Sequence, residues 1–147
     1  MGLGSVAAAS TDCNVACVAN SAETCGGGSR LSVYYTGSGA LPQAPTPSIV
    51  QSVAGYAFDG CYTEGYNVRA LSSASTSSSA MDVELCESFC NGYTYFGVEY
   101  ASECYCGMSL GNGTTLVANS DCDMVCAGNM AELCGAGNRL LIYSDSS

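Results

Sequence analysis

Three runs, met in this order, decide the fold: Met81-Asp82-Val83-Glu84-Leu85-Cys86-Glu87-Ser88-Phe89-Cys90, Tyr95-Phe96-Gly97-Val98-Glu99-Tyr100 and Cys104-Tyr105-Cys106. Asp82 is a helix-capping residue, and the apolar positions after it repeat at helical spacing, which predicts a helix from Asp82 through Cys90. The second run is aromatic and β-branched and predicts a strand. Ala101-Ser102-Glu103 turns it, and the third run returns as its partner. Cysteines four apart on a helix share one face, as do cysteines two apart on a strand. A helix laid on a hairpin can therefore join it through two side-by-side bridges. That leaves Cys61, Cys122, Cys126 and Cys134 as a second closed set, within which spacing alone selects no pairing.

Around this nucleus the other signals are short. Tyr56–Tyr62 alternates as a strand, and Leu140-Leu141-Ile142-Tyr143 reads as a closing apolar strand. Ser120 followed by Asp123 predicts a capping box opening a second helix to Ala127. Ser72–Ser79, nearly all serine and threonine, predicts a surface loop. Phe58, Phe89, Phe96, Tyr100 and Tyr143 read as core, and Arg139 as the ion-pair partner of a carboxylate such as Glu132. The expected fold class is α+β: a small disulfide-rich domain with a short antiparallel sheet, helices packed on it and four disulfides. A domain of this size buries a modest core, so each bridge, at roughly 2–4 kcal/mol, is a large share of net stability.

An internal repeat organises the chain. A displacement of 109 positions carries Asp12, Cys13, Cys17, Asn20, Glu23, Cys25, Gly26, Gly28, Arg30, Leu31 and Tyr34 onto Asp121, Cys122, Cys126, Asn129, Glu132, Cys134, Gly135, Gly137, Arg139, Leu140 and Tyr143 without a gap. The equivalence runs back to Gly2/Gly111 and Gly4/Gly113. Residues 2–36 thus read as the second half of a unit, residues 56–144 as the complete unit, and residues 37–55, which hold Pro42, Pro45 and Pro47, as a linker.

Composition removes whole classes of function. The 147 residues hold 11 Cys, no His, no Trp and a formal net charge of −10, with Arg30, Arg69 and Arg139 as the entire cationic complement. Without His there is no Ser-His-Asp or Cys-His nucleophile pair and no imidazole ligand. Without Lys there is no Schiff base. Three cations offer nucleic acid or an anionic membrane nothing to hold. No apolar run approaches the roughly 18 residues of a spanning helix. The cysteine spacings lack the CxxC of zinc ribbons, so a disulfide framework in an oxidising, extracytoplasmic compartment is expected, with no metal and no cofactor. The N-terminus lacks a basic secretory leader, so either a signal has been removed or the chain starts partway through a longer secreted protein.

The run Gly60-Cys61-Tyr62, Arg69-Ala70-Leu71, the helix and hairpin quoted above through Gly107, and Cys122-x3-Cys126-Ala127-Gly128-Asn129-x-x-Glu132-x-Cys134-Gly135-x-x-Asn138-Arg139-Leu140 resembles the WSC domain over the whole of residues 56–144. Residues 2–36 resemble its second half alone. The resemblance implies a secreted, largely fungal module, similar in fold to PAN/apple domains, that binds cell-wall polysaccharide of the β-glucan, chitin or xylan class. It also implies the bridges Cys61–Cys122, Cys86–Cys104, Cys90–Cys106 and Cys126–Cys134. If Cys17 pairs with Cys25 in the same way, Cys13 is left unpaired or intermolecular. An odd cysteine beside a half unit points to a fragment of a longer tandem protein. The alternative is a structural glycoprotein that self-assembles into fibres through Cys13, the half unit and the linker.

Sugar recognition uses aromatic faces with acidic, amide and guanidinium groups, which selects Tyr66, Arg69, Tyr93, Tyr95, Glu99, Tyr105 and Asn138. Glu99 with Glu103 also offers the two carboxylates of a glycosidase, but so small a domain has no deep cleft, and the expectation is a non-catalytic module. Asp121 and Asp123 are too few to bind calcium. Asn112-Gly113-Thr114 is an N-glycosylation sequon. Thr46, Ser48, Ser72, Ser73, Ser75, Thr76, Ser77, Ser78 and Ser79 are candidate O-glycosylation positions.

Overall fold

The computed structural model describes residues 8–34 and 45–146 and divides the chain into two compact units, residues 1–44 and 45–147. Residues 2–7 and 35–36 of the half unit and residues 37–44 of the linker lie outside the described residues.

The larger unit is built on one antiparallel sheet. Its strands are β1 (Ser52–Val53), β2 (Tyr56–Thr63), β3 (Ala74–Ser77), β4 (Tyr95–Glu99), β5 (Glu103–Gly107), β6 (Leu116–Val117) and β7 (Arg139–Asp145). They run in the order β1-β2-β7-β4-β5-β3, with β6 added beside β2. The closing strand β7 therefore sits between β2 and β4, pairing Phe58 with Tyr143 on one side and Phe96 with Tyr143 on the other. Helix α1 (Val83–Phe89) opens at Asp82, whose carboxylate accepts the Leu85 N–H at 2.8 Å.

Period-two alternation splits the sheet into two faces. Phe96, Val98, Cys104, Cys106, Leu141 and Tyr143 point towards α1 and form the main core. Within it the Phe96 and Tyr143 rings stack at 4.7 Å, and Tyr56 meets Phe96 edge-on at 5.1 Å. Cys86–Cys104 and Cys90–Cys106 rivet the helix to β5, Cys61–Cys122 ties β2 to the segment before the last strand, and Cys126–Cys134 closes a loop of sequence separation 8. On the opposite face Leu140, Ile142 and Tyr105 are covered by Ala70 and Leu71. Leu71 can lie flat there because Gly97 and Gly107 carry no side chain. A Cβ at Gly107 would stand 2.8 Å from Leu71 Cδ2, and one at Gly97 3.3 Å from Leu71 Cδ1.

Several expectations give way to this architecture. The serine run is not wholly loop: Ala74–Ser77 is an edge strand paired with β5 from Ala74↔Cys106 to Ser77↔Glu103. An edge strand needs backbone partners rather than apolar side chains. The helix from Ser120 to Ala127 is replaced by a 3-10 turn, Asn119–Asp121, without a side-chain cap. Beyond it the backbone bonds across the disulfide loop instead, Met124 N–H to Gly135 O, Cys126 N–H to Glu132 O and Cys134 N–H to Met124 O. From Ser48 onward the linker stretch belongs to the domain. Ser48 N–H donates to Ala131 O, Leu133 N–H donates back to Ser48 O, and Ile49 and Val50 pack on the core.

Two expected core aromatics are exposed. Helical periodicity turns Val83, Cys86, Glu87 and Cys90 inward, which leaves Phe89 outside. Tyr100 occupies the β4–β5 turn with φ +48°, and its ring faces solvent. Arg139 does not pair with Glu132. Its guanidinium donates to the Asn138 carbonyl, while the buried Glu132 carboxylate accepts the Val83 N–H at the start of α1 and an N–H of Asn129.

The smaller unit repeats the end of the larger one. Ser10–Asp12 is a 3-10 turn like Asn119–Asp121, Cys17–Cys25 matches Cys126–Cys134 in its Cα–Cα distance (4.9 and 4.8 Å), and the bridges Ala16↔Thr24 and Gly27↔Arg30 match Val125↔Leu133 and Ala136↔Arg139. Both copies need the left-handed backbone at the same places, Gly26 and Gly135 (φ +81° and +70°) and Ser29 and Asn138 (φ +56° and +57°). Cys13 is the free cysteine among the described residues.

Candidate functional site

The segment that covers the second sheet face also builds a polar cluster there. Glu64 folds back over its own loop: one carboxylate oxygen accepts the Ala70 N–H and the other lies 2.5 Å from Arg69 Nη1. The same Nη1 donates to Glu99 Oε2 at 3.1 Å, and the guanidinium carbon stands 4.7 Å over the Tyr105 ring. Tyr105 in turn donates its hydroxyl to Glu103 Oε2 at 2.8 Å. Sheet register makes this possible. Glu99 and Glu103 are directly opposed across β4 and β5, on the face shared with Tyr105.

Burial gives the cluster its electrostatics. Glu99 is 3% exposed, and Arg69 keeps about half of its side-chain surface. Burial of the Glu99 carboxyl, reinforced by the neighbouring Glu64 carboxylate, raises its pKa to about 7 against the opposing pull of Arg69. Burial followed by the hydrogen bond to Glu103 pushes the Tyr105 hydroxyl upward, so it remains a proton donor. The Glu64 hydrogen bond, as the main cause, raises Arg69 further above its ordinary value. One compact site thus combines a guanidinium, three carboxyl groups, one of them buried with its pKa raised to about 7, and an aromatic face. It opens on a shallow depression of about 370 Å³ floored by Arg69, Leu71 and Tyr105 and walled by Ser72, Ser73, Ala74 and Ser75.

Of the sequence-selected residues, the fold brings together Arg69, Glu99 and Tyr105. Tyr66 lies on the same covering loop, 84% exposed, with its N–H bonded to Asn112 O and its ring close over Gly113. Tyr95 is half-buried and packs against the second-face core, while Tyr93 packs against the main core and its carbonyl accepts the Tyr56 hydroxyl at 2.6 Å. Asn138 is exposed in the turn before β7. Among the described residues no contact joins Tyr93 or Asn138 to the cluster. Glu64 and the serine wall were absent from the sequence reading of the site. Glu64 has no pattern to mark it, because its role depends on the loop between it and Arg69 folding back. Asn112 is exposed, as are Thr46, Ser48, Ser72, Ser73, Ser75, Ser77 and Ser79, whereas Thr76 and Ser78 are half-buried. Cys86, Cys90 and Cys104 lie close enough to resemble a metal cluster, but their sulfurs are committed to bridges. No helix among the described residues is long and apolar enough to cross a membrane.

The model of the WSC domain matches residues 58–136. A WSC domain-containing protein of Arthroderma benhamiae is 41% identical over 140 residues, 95% of this chain and 19% of that protein. Kremen protein 2 of Mus musculus is 38% identical over 91 residues, 59% of this chain and 20% of that protein. Xylosyltransferase oxt of Drosophila melanogaster is 36% identical over 89 residues, 57% of this chain and 10% of that protein. The chain spans 16% to 65% of the length of the curated relatives that match most of it. Eight cysteines in four bridges, the helix riveted to its hairpin and the matched residues 58–136 together place the chain in the WSC domain family.

Proposed function

We propose that residues 45–147 form a non-catalytic carbohydrate-binding module that acts outside the cell on a wall polysaccharide of the β-glucan, chitin or xylan class, within a protein carrying such domains in tandem. The observation that carries this reading is the Arg69 guanidinium, held over Tyr105 and between Glu64 and Glu99 and lining an open depression. Sugar hydroxyls both donate and accept. Arg69 supplies donors, the partly exposed Glu64 supplies an acceptor, the buried Glu99 holds Arg69 in place, and the exposed Tyr66 ring supplies a face for a pyranose. A shallow groove suits a chain polymer bound from its side. The Glu99–Glu103 pair does not suit hydrolysis, since Glu99 is buried beneath Arg69 and Glu103 is occupied by Tyr105.

Secretion accords with the five bridges, and the exposed sequon and serines suit a glycoprotein. Residues 2–36 are read as the second half of a preceding domain. Retention of the native protein on insoluble β-glucan, chitin and xylan tests the binding. One of the three retains it, and Arg69→Ala or Tyr66→Ala lowers affinity by about tenfold, as expected for losing one polar or stacking anchor worth roughly 1.4 kcal/mol. Retention on none of the three, or unchanged retention of both variants, overturns the reading.

A further inference from the structure

The sequon Asn112-Gly113-Thr114 lies against an aromatic ring. The loop after β2 and the loop before β6 run side by side, joined by Tyr66 N–H to Asn112 O at 2.9 Å and by Gly111 N–H to Ala70 O at 2.8 Å. Their glycines hold them close. A Cβ at Gly65 would stand 2.7 Å from Asn112 O, and one at Gly113, whose φ is +84°, would stand 3.0 Å from Tyr66 Cδ2. The Tyr66 ring thus lies over the middle residue of the sequon and beside Asn112, which is exposed. The ring is itself 84% exposed, and Val68 on the same loop is 50% exposed, so the seam carries apolar surface that the protein fold does not cover.

The third residue of the sequon has no task in the folded domain. Thr114 Oγ1 is buried without a hydrogen-bond partner among the described residues, whereas the hydroxyl of the adjacent Thr115 pairs with Thr63 Oγ1 at 3.2 Å. An orphaned buried hydroxyl costs folding free energy, so valine would serve the fold at least as well at position 114. A threonine there has chemical value before folding, when a glycosylating enzyme reads Asn-x-Thr in an open chain.

We propose that Asn112 is an occupied N-glycosylation site whose first pyranose packs on the Tyr66 ring. In the transfer, Asn112 Nδ2 attacks the anomeric carbon of a polyprenyl-diphosphate-linked oligosaccharide. The new C–N bond forms as the C–O bond to the diphosphate breaks, the amide nitrogen loses one proton, and the lipid diphosphate leaves with the bonding pair. Folding then brings Tyr66 to the attached sugar. A pyranose presents C–H groups to an aromatic face, and its tether through one side chain removes most of the entropy cost that a free sugar would meet. A wall polymer using the same ring must displace this sugar, so the full effect of Tyr66→Ala on polymer retention is read on the deglycosylated protein.

The packing goes beyond polysaccharide binding and does not depend on it, and its test contains no polymer. The full chain is secreted from a eukaryotic host and nitrated with tetranitromethane, with Tyr34, also 84% exposed, as the internal standard. Peptide mass spectrometry is expected to find Asn112 glycosylated. Nitration of Tyr66 should be slower than after complete enzymatic removal of the glycan, by about threefold or more for a stacking contact of ordinary strength. Trimming the glycan to its first N-acetylglucosamine should keep that protection. Thr114→Val should fold, lack the glycan and show the unprotected rate; enzymatic removal from the folded parent decides the comparison if that variant does not fold. An unmodified Asn112, equal nitration with and without the glycan, or protection lost on trimming to the first sugar overturns the proposal.

Discussion

Residues 9–34 and 118–143 are one design in two settings. Both open on an uncapped 3-10 turn, both close a cystine loop of sequence separation 8, and both need a positive φ at a glycine and again three residues on. The local chemistry is therefore enough to set the local backbone: a short disulfide loop crossed by its own hydrogen bonds, with an Asn side chain pinning a Glu. What it does not set is burial. Leu140, Ile142 and Tyr143 are buried because β2 and β4 flank their strand, with Ala70 and Leu71 covering the first two and the main core the third, whereas Leu31, Val33 and Tyr34 are exposed. The contrast separates two sources of stability, constraint of the chain and removal of apolar surface from water. The second needs the sheet.

The largest expected effect lies in the bridge that joins the two halves of the complete unit. Cys61–Cys122 spans a sequence separation of 61, while Cys126–Cys134 and Cys17–Cys25 span 8. The chain-entropy relation gives about 4 kcal/mol for the long loop and about 2.5 kcal/mol for a short one. Urea unfolding of the double variant Cys61→Ser/Cys122→Ser should show the larger loss, and Cys126→Ser/Cys134→Ser the smaller. Equal losses would mean that constraint of the unfolded chain is not the main contribution. Next in size is the paired truncation of equivalent leucines. Leu140→Ala leaves a cavity in a closed core and should cost about 3 kcal/mol, while Leu31→Ala in the 147-residue chain should stay within about 0.5 kcal/mol. A comparable cost at Leu31 would show that its surface is covered in the native protein.

The comparison also shows what the sequence could disclose. Periodicity placed α1, β2, β4, β5 and β7 because each carries an apolar stripe that must be buried. It could not place β3, whose Ser75 and Thr76 contribute only backbone to the edge of the sheet. Nor could it tell that Ser120–Ala127 bonds across a loop rather than along a helix, since Ser-x-x-Asp satisfies either arrangement locally. At the site, Arg69 and Tyr105 were legible as the right residue types in a chain with three cations. Glu64 was not, because its carboxylate reaches Arg69 and the Ala70 N–H through a reversal of the covering loop. The end of that loop is seated by Leu71 against Gly97 and Gly107, a contact between segments far apart in sequence.

The smallest effect is a pH dependence confined to the complete unit. In residues 9–34 the acidic side chains Asp12 and Glu23 are exposed, whereas Glu99 sits buried under Arg69 in the complete unit. Its pKa is about 7 in the folded protein, against an ordinary 4.5. Between these values the folded state holds a proton that the unfolded chain has released, so stability falls as pH rises. The contribution is fully present below about pH 4.5 and is lost by the time pH passes about 7. Glu99→Gln keeps an acceptor for Arg69 and cannot ionise. It should match the parent protein near pH 4 and exceed it above pH 7 by about 1–2 kcal/mol, after discounting the attraction to Arg69 that the charge also provides. Urea midpoints for both proteins between pH 4 and pH 8 measure the difference. A gap that stays constant across that range would show that the carboxyl is ionised throughout, with the Arg69 pairing outweighing burial. Glu99 would then act as a fixed counter-ion that holds the Arg69 guanidinium in place.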